Sequence, residues 1–430
     1  MTSETRGYAI VLSALLLLAG GAGAGHAAPD KLGKVNVLGV WKGEELRSFR
    51  AVVKPWEKET GGKMRFEGSR DLSAVLTARA AKGDAPDVAI LPNPGLMVQL
   101  AKTKKLVPLD GMLDMTHFEA EYARTWIELG SVEGSLYGVF YKAANKSTLW
   151  YSPQQFSDHQ WPIPRTWKSL LAVSERIHEE GKTPWALGLE SGDASGWPAT
   201  DWIGEILLKE YGPEKYDAWV AHEIPWTDEA VRSAWENFGR IAHGEGYVAG
   251  GASGILTTGF REAAYRVFRK PPKAYLYFLG SFTKKFITER FSGLMPAKDY
   301  SFIPFPALNP AYSGAVTGGA DVVVVFKDNA TTRSFINYLA SAEAQEIWVE
   351  RGGFTAVNRK VRLHSYPDWV SARIALQLSN AKVFRFDADD QMPAEVQKAF
   401  WKGALDYVRD QASLDRVLED IEAVARKAYR

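Results

Sequence analysis

The sequence contains no cysteine, which excludes disulfide bonds, thiolate metal sites and a lipid-modified N-terminal cysteine. An excess of one charge is absent as well, because 52 Lys and Arg oppose 51 Asp and Glu for a formal net charge of +1. Surfaces that bind nucleic acids or anionic membranes usually carry a clear basic excess, so we expect neither partner. Internal repeats and low-complexity segments are also missing from the chain.

Beyond its N-terminus the chain has no long apolar run. At the N-terminus, residues 8–18 form an apolar run that follows Arg6, and the small residues 19–28 come next. This run is too short to cross a bilayer, which takes about 20 apolar residues. The pattern predicts a signal peptide over residues 1–27. Export without a lipid anchor indicates a periplasmic protein.

Catalytic signatures are equally scarce. The seven His show neither a His-Glu-x-x-His nor a His-x-His spacing, and the nucleophile-elbow and phosphate-loop motifs are missing. Without cysteine, a metal site would need His and carboxylates alone, and no cluster in the sequence indicates one. We therefore expect no metal and no cofactor. A glycosidase needs two carboxylates across a cleft, and no local motif singles out a pair, so we do not expect an enzyme.

The pattern of the 430 residues suits two lobes of roughly 150–200 residues each. Short apolar runs at residues 35–40, 64–67 and 87–91 predict strands, and the amphipathic segments between them predict helices. This β-α-β-α-β order indicates an α/β fold whose mostly parallel sheet carries helices on both faces. Further along, residues 320–326 contain four consecutive Val and predict a fully buried strand.

Aromatic residues are plentiful, with 15 Trp, 17 Tyr and 20 Phe. Several Trp stand beside Gly, Pro or Asp, as in Gly196-Trp197-Pro198 and Asp201-Trp202. Core packing accounts for most aromatic side chains, but Trp in polar loops also suits carbohydrate recognition. The C–H faces of a sugar pack on flat rings, while its hydroxyls bond to charged and amide groups.

A set of motifs runs along nearly the whole mature chain. They are GSRDLSAVL at 68–76, PDVAILPNPG at 86–95, YGV at 137–139, KS at 146–147, WY at 150–151, TPW at 183–185, ESG at 190–192, GWPATDW at 196–202, GGAD at 318–321 and LASAEAQ at 339–345. In these motifs the chain resembles the extracellular solute-binding proteins of the maltose-binding type, and most of all their alpha-glucoside-binding branch.

The resemblance implies a two-lobed, type II periplasmic binding protein fold, in which mixed, mostly parallel sheets are flanked by helices and a ligand cleft lies between the lobes. The implied N-terminal lobe consists of residues 28–144 and 311–352, and the C-terminal lobe of residues 145–310 and 353–430. The hinge is implied to consist of three crossovers, near residues 142–147, 304–312 and 352–362.

Candidate ligand-binding residues of the first lobe and the crossovers follow from their positions. Ligands of open α/β sheets bind at the carboxyl ends of strands, and paired glycines let a ligand approach the backbone. The candidates are Trp41, Glu44, Arg70, Asp71, Asn93, Lys142, Gly319, Asp321, Arg351 and Phe354. Structural alternatives stay open: Trp41 also suits a core, Asp71 a helix cap, and Asp321 an ion pair with Arg351.

The second lobe contributes Glu190, Trp197, Asp201 and Phe282 to the candidate site. Trp197 is the foremost candidate for a ring on which a sugar stacks, with core packing as its alternative. Asp201 also suits a helix cap. Many sugar-binding members of the family have Trp at the position of Phe282, and this departure leaves the identity of the sugar open.

These observations predict the substrate-binding component of an ABC importer. We expect it to capture a small carbohydrate, such as a disaccharide or an alpha-glucoside, by hinge closure, to act as a monomer and to deliver its ligand to permease subunits in the membrane. Two alternatives remain: a receptor of the same fold for a non-sugar solute such as a polyol or a sugar phosphate, and a secreted carbohydrate-active enzyme.

Overall fold

The computed structural model describes residues 32–69, 72–92 and 94–430. The predicted signal peptide and the candidates Arg70, Asp71 and Asn93 lie outside the described residues.

Strands and helices alternate over residues 34–102, and runs of helices or of strands follow in the rest of the described chain. The strands are β1 (Lys34–Gly39), β2 (Lys63–Gly68), β3 (Val88–Leu91), β4 (Ser131–Val132), β5 (Ser135–Leu136), β6 (Gly138–Asn145), β7 (Thr148–Tyr151), β8 (Trp185–Ala186), β9 (Leu276–Phe278), β10 (Ser301–Pro304), β11 (Ala315–Val325) and β12 (Val383–Phe386). The helices are α1 (Gly43–Thr60), α2 (Leu72–Ala81), α3 (Gly95–Lys102), α4 (Met115–Glu121), α5 (Arg124–Leu129), α6 (Pro153–Asp158), α7 (Trp167–Glu179), α8 (Trp197–Tyr211), α9 (Pro213–Val220), α10 (Glu229–Ala242), α11 (Gly251–Thr257), α12 (Phe260–Phe268), α13 (Thr283–Arg290), α14 (Ala330–Ala340), α15 (Ala342–Arg351), α16 (Trp369–Ser379), α17 (Ala388–Gln391), α18 (Ala394–Arg409) and α19 (Leu414–Ala428).

The first sheet has the strand order β12-β11-β3-β1-β2, and β6 pairs with β11 as well. Strand β1 runs parallel to β2 and β3, whereas β11 runs antiparallel to β3 and β6 and parallel to β12. The central strands are apolar because both faces are covered: β3 is buried along its whole length, and Val322 to Val325 are fully buried.

The second sheet has the order β10-β7-β9-β8, with β7 antiparallel to β9 and β10 and with β8 parallel to β9. Helix α8 packs against α10 and α18 in a second apolar core that contains Trp202, Trp219 and Trp235. Each sheet thus has helices packed around it, and the two sheets define the two lobes of an α/β fold.

Crossings between the sheets lie side by side. Residues 146–147 lead from β6 to β7, and residues 305–314 lead from β10 back to β11, in agreement with two of the predicted crossovers. The segment 352–362 instead runs beside β6, where Ala143 N donates to Thr355 O at 3.0 Å. Another strand of the first sheet, β12, follows it, so the last passage into the second lobe begins after Phe386. The predicted lobe boundaries remain a prediction.

Two local expectations differ from the structure. Strand β11 begins at Ala315 rather than at residue 320. The sequence pattern misses its first five residues because glycines at positions 318 and 319 interrupt the apolar run. Asp201 is not a helix cap, because α8 starts four residues earlier, at Trp197. Gly196 ends the preceding turn with φ of +108°, and a Cβ there would come within 2.4 Å of Trp401 O, so only glycine fits.

Candidate functional site

Trp41 follows β1 and lies inside an aromatic cluster of the first lobe. Its ring centroid is 4.9 Å from that of Phe49 and 4.9 Å from that of Trp348, both in edge contacts. Only 1% of its surface is exposed, and Nε1 donates to Asp321 Oδ2 at 2.9 Å. In this conformation Trp41 is a packed ring that orients Asp321 rather than an open surface for stacking.

Asp321 is half-buried on β11, directly opposite Lys142 of β6, and a bulge follows it in the strand pairing. Burial raises the pKa of Asp321, although the Lys142 charge and the Trp41 hydrogen bond counteract part of that effect. The alternative pairing of Asp321 with Arg351 is wrong, because Arg351 Nε donates to Ser48 Oγ at 3.1 Å and its guanidinium faces Glu44.

Of the other polar candidates of the first lobe, Glu44 and Arg351 are exposed and Lys142 is half-buried. Lys142 forms an ion pair with Glu45, and its ammonium lies 5.9 Å from the Trp348 ring centroid. Glu44 is in the first turn of α1, pairs with Arg47, and is 4.0 Å from Arg351 Nη2. The hydrogen bond and charge of Arg47 lower the pKa of Glu44. These groups lie at the edge of the aromatic cluster.

Phe354 and Gly319 complete the first-lobe candidates. Phe354 is buried, and its ring stacks on Trp348 at 5.0 Å and contacts Tyr141 at 5.1 Å. Gly319 has open space where a Cβ would stand, whereas a Cβ on Gly318 would lie 2.3 Å from Ala144 O. Packing therefore explains the glycine at 318, and only the glycine at 319 leaves the backbone approachable.

Trp197 begins α8 and is half-buried, in contrast to Trp41. Its ring centroid is 5.2 Å from that of Phe260 in an edge contact and 6.1 Å from that of Phe282. The ammonium of Lys146 lies over the ring, 5.4 Å from the centroid. Trp197 is thus held by two aromatic neighbours and one cation while part of its surface stays accessible, as a stacking ring requires.

Glu190 lies close to this aromatic group through the backbone. Its N–H donates to Thr258 O at 3.1 Å, and its carbonyl accepts from Phe260 N at 3.3 Å. The carboxylate is exposed, and Oε1 accepts from Gly192 N at 2.9 Å. The structure therefore brings Glu190 and Trp197 to Phe260, a residue that the sequence pattern did not single out, and places Phe282 against Trp197.

A buried charged cluster lies beside Trp197. Lys146 Nζ donates to Asp201 Oδ1 at 3.0 Å and to Asp387, and Trp401 Nε1 donates to Asp389 Oδ2 at 2.5 Å. Burial and the Asp387 charge raise the pKa of Asp201 well above its ordinary value. Burial would raise the pKa of Asp387 too, but the Lys146 charge and the hydrogen bonds from Asp201, Asp389 and Lys146 together outweigh it and lower that pKa. Lys146 is therefore ion-paired with Asp387 and bonded to Asp201 inside the cluster.

The same cluster is where a cation could bind in the described part of the chain. One oxygen of each of Asp201, Asp387 and Asp389 lies within 4.8 Å of the others. Hard cations prefer such oxygen ligands. The ammonium of Lys146 already supplies positive charge to two of these carboxylates, which weakens the case for a metal ion.

The candidate residues thus fall into two groups on either side of the crossovers. Trp41, Lys142, Asp321 and Phe354 form the first, with Glu44 and Arg351 at its rim, and Glu190, Trp197 and Phe282 form the second. Asp201, which became a candidate through its nearness to the GWP motif, belongs to the buried charged cluster instead. Lys146 lies in the KS motif and near a predicted crossover but was not a candidate site residue, because its partners Asp201 and Asp387 are 55 and 241 positions away.

A two-lobed α/β fold with candidate ligand groups beside its crossovers is the architecture of a solute-binding protein. A family model described as bacterial extracellular solute-binding protein matches residues 42–346. The chain belongs to this family, which confirms the resemblance seen in the sequence motifs.

Two relatives align over most of the chain. The osmoprotective compounds-binding protein GgtB of Synechocystis sp. is 35% identical over 413 residues, covering 96% of this chain and 97% of the relative. The alpha-glucosides-binding periplasmic protein AglE of Rhizobium meliloti is 34% identical over 390 residues, covering 89% of this chain and 84% of the relative.

Solved structures confirm the predicted two-lobed periplasmic binding protein fold. The bacterial solute receptor AcbH superposes with a TM-score of 0.81 at 17% identity, covering 93% of this chain and all 100% of that one. RafE of Streptococcus pneumoniae superposes with a TM-score of 0.77 at 14% identity, covering 94% and 100%. Among the described residues, no helix combines the length and apolar character that a membrane crossing needs.

Proposed function

We propose that this protein is the periplasmic, monomeric receptor of an ABC importer. It captures a small carbohydrate, a disaccharide or an alpha-glucoside, by closing its lobes, and delivers it to permease subunits. Its work is binding and release, with no chemical step. The chain's membership of the extracellular solute-binding family supports a receptor role. The name of the relative AglE supports an alpha-glucoside as the ligand.

The observation that carries the proposal is the half-buried ring of Trp197 beside Glu190 and Phe282, across the crossovers from Asp321 and Gly319. A sugar presents C–H faces that pack on aromatic rings and hydroxyls that donate to carboxylates. A ligand that contacts both groups is bound better by the closed protein, and this difference in affinity drives closure.

A second candidate ligand is a non-sugar osmoprotective solute such as a polyol. The name of the relative GgtB favours it, and hydroxyl groups on a flexible chain would use the same carboxylates without needing the ring. A polyol has no rigid apolar face, so binding should then be insensitive to Trp197.

Calorimetric titration with maltose, trehalose, sucrose, glycerol and glucose 6-phosphate tests the proposal. We expect saturable binding of at least one of the disaccharides, weak binding of glycerol and glucose 6-phosphate, and no new reducing ends after prolonged incubation with sucrose or trehalose. Preferred binding of glycerol or of the phosphate would favour the non-sugar receptor, and release of reducing sugar would identify an enzyme.

A further inference from the structure

Lys146 occupies the first crossing between the lobes, one residue after β6 ends. Its backbone N–H donates to Thr317 O of β11 at 2.9 Å, which joins the first crossing to the strand that follows the second crossing. Only 13% of its side-chain surface is exposed, so the ammonium is held among protein groups. A change in the angle between the lobes would therefore change the surroundings of this side chain.

The side chain of Lys146 bonds to two segments that are far apart in the sequence. Its ammonium bonds to Asp201 on α8 and to Asp387, which begins the last passage into the second lobe. Asp387 N in turn donates to Gly318 O of β11 at 3.0 Å. Burial favours the neutral amine, but the charges of Asp201 and Asp387 outweigh it and hold the pKa of Lys146 well above its ordinary value. The charged lysine therefore joins the first crossing to α8 and to the last passage, and both Lys146 and Asp387 bond to β11 through their backbone N–H groups.

The same ammonium lies over the ring of Trp197, 5.4 Å from its centroid. Trp197 and Asp201 are four residues apart on α8, so they occupy one face of the helix and Lys146 can contact both. A cation over an indole face attracts the ring, more strongly where water is excluded.

We propose that Lys146 is a positioning residue, which fixes the Trp197 ring for ligand stacking and links its position to the crossings between the lobes. This inference rests on the proposed carbohydrate receptor. It assigns to the hinge lysine a role in binding that needs no direct contact with the ligand.

The test is a double-mutant cycle on affinity for whichever of maltose, trehalose and sucrose binds the wild type. Lys146→Met keeps the length of the side chain and removes its charge. We expect it to weaken binding about tenfold in the wild-type background and less than twofold in the Trp197→Ala background, because its effect acts through the ring. An equal loss in both backgrounds would overturn the inference.

Lys209→Met is the matched control. Lys209 is also a buried lysine that bonds to the second crossing, at Ser313 O and Ala315 O, but it lies 12 residues further along α8, about 18 Å from Trp197. We expect its effect on affinity to be the same with and without the Trp197 ring. A dependence on Trp197 as large as that of Lys146→Met would show a general hinge effect and overturn the inference.

A second readout needs no ligand. In protein labelled with 5-fluorotryptophan, the resonance of Trp197, assigned by its loss in Trp197→Phe, should shift in Lys146→Met and stay in place in Lys209→Met. An unmoved resonance in Lys146→Met would contradict the inference. If Lys146→Met alone does not fold, the pair Lys146→Met and Asp387→Asn removes the unpaired charge, and the same shift is expected. A wild type that binds none of the three sugars refutes the proposed function, whereas sugar binding with no coupling refutes this inference alone.

Discussion

Replacing Trp197 with Ala should separate binding from stability. The ring is half-buried and is held by Phe260, Phe282 and the Lys146 ammonium, so its loss leaves less of a cavity than that of a buried ring such as Trp41. Truncating a fully buried aromatic costs about 3–5 kcal/mol, and we expect about 1–2 kcal/mol here. Loss of the stacking surface should cost about 1–3 kcal/mol of binding, roughly 5- to 150-fold in Kd.

Calorimetric titration and a thermal melt of the same samples measure the two effects. Trp369→Ala is the matched control, because Trp369 is 57% exposed on α16 and its removal should change neither affinity nor melting temperature by much. A Trp197→Ala protein that binds its sugar as tightly as the wild type but melts at a much lower temperature would refute the reasoning. Trp197 would then be a packing residue only.

Three further predictions follow from the buried polar groups. Asp321→Asn should weaken sugar binding about tenfold while keeping the fold, since the amide oxygen still accepts from Trp41 Nε1; unchanged affinity with a lower melting temperature would contradict this. Burial raises the pKa of Asp389 well above 3.8, so its contribution to stability is complete below pH 4 and is lost as pH rises through the raised value. The difference in melting temperature between Asp389→Asn and the wild type should therefore shift in favour of the variant as pH rises from 5 to 8. A difference that stays constant over this range would refute the prediction. Lys209→Met should lower the free energy of unfolding in urea by about 3 kcal/mol, because Glu205 loses its buried partner, and a change below 1 kcal/mol would contradict that.

Much of the fold could be predicted because its signals are local. The apolar runs at β1, β2 and β3 and the four Val of β11 all lie in strands, and the positions of these runs follow from the residues themselves. The order in which strands enter a sheet is not local. The return of β12 to the first sheet depends on pairing with Ala315 to Gly318, about 70 residues earlier, and no periodicity within β12 indicates that partner.

Site residues could be predicted where the neighbouring sequence determines their exposure, and could not be predicted where distant packing determines it. Trp197 stands at a glycine-flanked helix start, which keeps its ring near the surface, whereas Trp41 was placed in the site by the same kind of argument and is buried against Trp348. Packing by α15 decides that difference, and the sequence around Trp41 does not show it. The proposed role of Lys146 could be recognised only from the fold, which brings Asp201 and Asp387 to its ammonium.

Small-angle scattering, with and without the sugar that binds best in calorimetry, tests the central claim most directly. A receptor whose lobes close on a carbohydrate should show a smaller radius of gyration at saturation than without ligand, and Lys146→Met should show less of that change at equal saturation. An unchanged radius of gyration, in a sample that calorimetry proves to be saturated, would contradict capture by hinge closure.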